Sequence, residues 1–133
     1  MSRPSDPNAA AATERVRALC LGLPEATERM SHGEAAWFVR RSPQFVTMAD
    51  RHHDDRVALW AAAPPGAQQD WVRRAPNHYF VPPYVGGRGW IGVYLDGEPD
   101  WDAIADIVED AYRAVAPSKL VQRLDALRDS SPG

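Results

Sequence analysis

Residues 35–61 read AAWFVRRSPQFVTMADRHHDDRVALWA, and the pattern of this stretch decides the fold. Three runs within it, Ala35–Arg40, Gln44–Ala49 and Arg56–Ala61, are rich in aromatic and β-branched side chains that suit a pleated, half-buried surface. Arg41-Ser42-Pro43 separates the first two, and Arg51-His52-His53-Asp54-Asp55 the last two. Both connectors are polar, turn-forming and too short for a crossover helix, so the three runs are expected to pair as an antiparallel meander.

Working outward toward the N-terminus, Thr13–Leu21 has Val16, Leu19 and Cys20 spaced for one buried helical face, continued by Leu23 and closed by Gly22 and Pro24. Residues 1–12 lack apolar periodicity and read as a flexible tail, as do residues 129–133. Toward the C-terminus, Pro64-Pro65-Gly66 opens a helix over Ala67–Ala75 that Pro76 ends. An irregular stretch with Pro82, Pro83 and three glycines leads to Trp90–Leu95, which alternates with the two-residue period of a strand. Asp100 is a good N-cap for a helix carrying Trp101, Ile104, Val108, Ala111, Tyr112 and Val115, and Lys119–Leu127 forms a last short helix. The expected architecture is α+β: one domain over residues 13–128, with an antiparallel sheet packed against helices.

Composition sets the class. With five Trp, four Tyr and three Phe in 133 residues, a core can form without disulfides or metals. Cys20 is the only cysteine, which points to a cytoplasmic protein with no internal disulfide. No apolar run approaches the length of a membrane span, and the first residues lack the apolar stretch of a signal peptide. The net charge of −3 gives no overall attraction to nucleic acid, yet residues 29–90 hold eight basic and five acidic groups and form the one basic region.

That region supplies the first candidate site. Arg40, Arg41, Arg51 and Arg56 sit in or beside the two hairpin turns, where guanidinium groups can straddle phosphates; charged turns also serve simply to keep hairpins soluble. Arg73-Arg74 lies at the C-terminal end of a helix, where cations offset the macrodipole. A second candidate is a pocket for a flat ligand between sheet and helices, lined by His32, Trp37, Trp60 and Trp90, residues that core packing would also explain.

Catalytic readings find less support. His32 and Glu34 flank Gly33 and form a possible acid–base pair, but no nucleophile, metal or cofactor motif accompanies them, and Cys20 falls on a buried helical face. Four adjacent side chains, His52 to Asp55, point in different directions and make a poor metal site. Gly86-Gly87-Arg88-Gly89 suggests a backbone nest for an anion or a flexible lead-in to the next strand. No catalytic residue, metal or cofactor is assigned, and a monomer is expected.

Several stretches together resemble the MmcQ/YjbR family of small bacterial proteins. They are Cys20-Leu-Gly-Leu-Pro-Glu-Ala-Thr-Glu28, Ser31-His-Gly33, Tyr84-Val-Gly-Gly-Arg-Gly-Trp90, Asp100-Trp-Asp102 and Val115-Ala-Pro-Ser-Lys-Leu120. The resemblance implies a compact fold similar to frataxin/CyaY-like proteins, in a double-wing arrangement with a suspected role in DNA binding. Members associated with antibiotic biosynthesis imply the alternative, a binder of a small aromatic or natural-product-like molecule. This chain departs from the family in the first hairpin turn, where Arg41-Ser42-Pro43-Gln44 replaces the usual Gly-Lys.

Overall fold

The three strand runs pair as expected, within a larger sheet. The computed structural model describes residues 7–50 and 56–129. In chain order these form α1 (Pro7–Leu21), β1 (Ala26–Ser31), β2 (Glu34–Val39), β3 (Gln44–Asp50), β4 (Val57–Ala61), α2 (Ala67–Arg74), β5 (Tyr79–Phe80), a 3-10 turn (Gly86–Arg88), β6 (Ile91–Tyr94), α3 (Trp101–Val115) and α4 (Ser118–Asp129). The sheet is antiparallel throughout, in the order β1-β2-β3-β4-β6-β5.

Register assigns each strand residue to a face, because directly paired residues point the same way. Trp37 pairs with Val46, Met48 with Leu59, Leu59 with Val93, and Ala61 with Ile91. All are buried, in one cluster with Val16 and Cys20 of α1, Ile104, Ile107, Val108 and Tyr112 of α3, and Leu120 and Leu124 of α4. This is the core face. Phe45 lies where the β2–β3 register shifts, and its ring meets Tyr112 edge-on at 5.7 Å. The Tyr112 hydroxyl donates to the Pro24 carbonyl at 2.8 Å, tying α3 to the turn after α1.

The opposite face carries Ala36, Phe38, Thr47, Ala49, Ala58, Trp60, Gly92 and Tyr94, by the pairings Phe38–Gln44, Ala36–Thr47, Thr47–Trp60, Ala58–Tyr94 and Trp60–Gly92. Ala36, Phe38, Ala49 and Ala58 are buried yet stand apart from the helix-covered cluster. Among the described residues, the segment between β5 and β6 is what rises over this face.

Three elements differ from the sequence reading. α1 begins at Pro7, so residues 7–12 are helix and not tail. Proline suits a first helical position, alanine is the strongest helix former, and Ala9 and Ala12 are buried without any large side chain to signal it. Strand β1 has the polar sequence ATERMS and forms through pairing with β2 across a two-residue turn, His32 (φ +53°) and Gly33 (φ +79°). β5 is only two residues long and adds to the sheet beyond β6.

Candidate functional site

A cleft of ≈ 570 Å³ lies on the helix-free face of the sheet, with the small side chain of Ala49 among its lining residues. Thr47 and Trp60 form its base at the centre. Ser31, His32 and Glu34 of the β1–β2 hairpin close one end, and Pro43 and Gln44 the other. Tyr84, Val85, Arg88 and Trp90 form the wall contributed by the segment between β5 and β6.

That wall is held by one buried polar side chain. Gln68 on α2 is 6% exposed, and its Nε2 donates to the carbonyls of Gly86 (2.8 Å) and Trp90 (2.7 Å). Both strand-flanking carbonyls thus receive a donor from a helix, which fixes the 3-10 turn against α2. Gly86 is required by close approach: a Cβ there would fall 2.6 Å from Val81 Cγ1. The turn does not form the open anion nest the sequence suggested, because the Arg88 and Gly89 amides donate internally to Val85 and Gly86.

The aromatic groups sit together on the wall and base. The Trp60 and Tyr84 rings lie 6.5 Å apart at 59°, and Tyr84 is 77% exposed with φ of +65°. Trp90 is buried below Arg88, whose guanidinium carbon stands 5.7 Å from its ring centroid. Of the pocket residues expected from sequence, His32, Trp60 and Trp90 therefore converge. Trp37 does not: it is fully buried on the core face, where its indole N–H donates to Glu28 at 2.8 Å, and Glu28 in turn pairs with Arg17 of α1. The cleft lies across the sheet from the helices, not between sheet and helices as expected.

The arginines expected to bind phosphate are dispersed. Successive turns of a meander fall at opposite ends of the sheet, so Arg40 and Arg41, beside β2, are separated from Arg56, at the start of β4, by the length of β3, about 20 Å. Arg40 is paired with Glu25 at 2.8 Å, and Arg56 with Asp96 at 2.7 Å while also stacking 3.5 Å over Tyr94. The Arg40 hydrogen bond holds the Glu25 carboxyl below its usual pKa, and Arg56 does the same to Asp96. Arg41 is exposed, with its carbonyl accepting from Arg29 at 2.9 Å. Arg51 and the His52–Asp55 run lie outside the described residues.

The other groups singled out in the sequence have structural partners. Cys20 is fully buried, and burial pushes its thiol pKa up, away from reactivity. Asp100 caps α3 by accepting from the Ala103 amide. Arg73 pairs with Asp70 at 2.5 Å, and Arg74 lies over Trp71. Among the described residues, no three His, Cys, Asp or Glu side chains gather into a metal site, and no helix is long and apolar enough to cross a membrane.

Sequence reasoning missed Gln68, Gln44 and Thr47 as parts of this site. A glutamine in a short amphipathic helix gives no local sign of the carbonyls it meets 18 and 22 residues later.

Comparison with known proteins agrees with the fold. The YjbR family model matches residues 21–114. The crystal structure of the Deinococcus radiodurans protein DR2400, a DUF419 domain, is similar with a TM-score of 0.63 and 16% sequence identity, covering 75% of each chain. At that identity the likeness concerns the fold alone. No curated protein matches the chain.

Proposed function

The chain belongs to the YjbR family, and from that premise, which fixes a fold and names no ligand, we propose that it binds a planar aromatic small molecule in the cleft on the helix-free face of the sheet. One observation carries this reading: Trp60, Tyr84 and Trp90 line a single cleft of ≈ 570 Å³. That volume lies within the roughly 300–1,000 Å³ of small-molecule sites. Planar ligands gain area and stacking from such walls, and the few polar groups at the margins, His32, Gln44, Thr47 and Arg88, can orient them.

The cleft is built, not incidental. Ala49 leaves room beside Thr47 in its lining, and a buried glutamine, Gln68, anchors the wall from α2. Duplex DNA is the competing ligand, through Arg40, Arg41, Arg51 and Arg56. It ranks second because Arg40 and Arg56 already carry carboxylate partners and stand at opposite ends of the sheet.

The test is fluorescence titration with N-phenyl-1-naphthylamine, an uncharged aromatic probe. Saturable binding is expected, weakened about tenfold by Trp60→Ala, as loss of roughly 1.4 kcal/mol of aromatic contact implies. Absence of saturable binding to the wild-type protein would overturn the proposal. Salt-sensitive binding to duplex DNA, lost in Arg40→Glu with Arg41→Glu, would favour the competing reading.

A further inference from the structure

Resting on the cleft reading, we infer that the ligand is an aromatic acid, with its ring against Trp60 and Tyr84 and its anionic group on the guanidinium of Arg88. The ion pairing of the arginines and the place of Arg88 in the cleft lining carry this step. Arg17, Arg40, Arg56, Arg73, Arg113, Arg123 and Arg128 each pair with a carboxylate. Among the described residues Arg88, like Arg15, Arg29, Arg41 and Arg74, pairs with no carboxylate, and of these five it is the one that lines the cleft; its neighbour is the face of Trp90, itself a wall of the cleft. A guanidinium placed on an aromatic wall keeps its fork of donors for a carboxylate or similar anion, which it binds with two parallel hydrogen bonds.

The surrounding geometry holds that group in place. Arg88 ends the 3-10 turn that Gln68 anchors, and Gly89, with φ of +85°, turns the chain back into β6. Trp90 immediately precedes Ile91, which pairs with Ala61, and Ala61 pairs with Val46, so Trp90 stands at the level of the start of β3, across β4 from Gln44. The acid in the cleft, Glu34, is at the hairpin end, because the register that sets Ala36 opposite Thr47 sets Glu34 opposite Ala49. Five residues of strand, about 16 Å, separate the levels of Gln44 and Ala49, so Glu34 leaves the positive field at the Arg88 end largely intact. The cleft is thus positive at one end and aromatic at its centre.

Two probes with one fluorophore separate this inference from the cleft reading. 1-Anilinonaphthalene-8-sulfonate carries an anionic group that N-phenyl-1-naphthylamine lacks. Arg88→Gln is expected to weaken the sulfonate probe about tenfold more than it weakens the uncharged probe, as loss of a charge-assisted bidentate contact implies. Raising the salt from about 50 to 500 mM should weaken only the sulfonate probe. Equal weakening of both probes, or of neither, in Arg88→Gln would overturn the assignment of the anion site while the cleft stands. Failure of the wild-type protein to bind the uncharged probe would bring down the cleft reading itself.

Discussion

Gln68 is the residue on which the site depends most. It is the one buried polar side chain of the described residues, and both of its donors are committed to backbone carbonyls of the cleft wall. Gln68→Leu keeps the bulk and removes the donors, leaving two carbonyls without partners at a cost of about 1–3 kcal/mol. Thermal unfolding followed by circular dichroism should show a fall of several degrees, and probe binding should weaken with it; unchanged stability would mean the wall is held by something else. Residues such as this are illegible in the sequence because their partners come from distant segments. His32, Trp60 and Trp90 were legible as polar or aromatic groups near strand ends, whereas Trp37 looked the same and fell on the other face. One step of strand register separates a core tryptophan from a cleft tryptophan, and the β2–β3 register shift lies between Trp37 and Phe38.

At the scale of elements, helices α2 and α3 and strands β2, β3, β4 and β6 follow from periodicity and breakers in the sequence. Strand β1 does not, since a polar edge strand has no apolar alternation to read; it exists because a positive-φ hairpin returns the chain onto β2. Its other tie is electrostatic. Glu28 accepts from Arg17 of α1 through both oxygens, at 2.7 and 3.0 Å, and from the Trp37 indole. The Arg17 hydrogen bond is the main reason its carboxyl lies below the ordinary value of 4.5. A carboxylate whose folded-state pKa is depressed contributes fully above the unfolded value and loses that contribution as pH falls through the folded one. The stability difference between wild type and Glu28→Gln should therefore be constant near neutral pH and shrink as the pH drops below about 4.5. Denaturant unfolding at pH 7, 4.5 and 3 measures it. A difference that grows on acidification would contradict the assigned pairing.

For the whole molecule, the two faces of one sheet are covered differently. The face carrying Trp37, Val46, Leu59 and Val93 builds the core with α1, α3 and α4, and stability resides there. The other face carries Thr47, Ala49 and Trp60 in the lining of the cleft, where the proposed ligand would sit apart from that core. The α+β class and the antiparallel sheet were legible because they depend on element order. The cleft was not, because it arises from which face the helices leave uncovered, a property of the assembled layers. The same topology disperses the basic turns that look adjacent along the chain.

The central claim is the proposal that the aromatic cleft binds a planar ligand. The five tryptophans allow a direct test, since each contributes one indole N–H signal to a two-dimensional nitrogen–proton spectrum. Titration with N-phenyl-1-naphthylamine should shift the Trp60 and Trp90 indole signals and leave those of Trp37, Trp71 and Trp101 in place. Shifts at Trp37 with Trp60 and Trp90 unmoved would contradict the account.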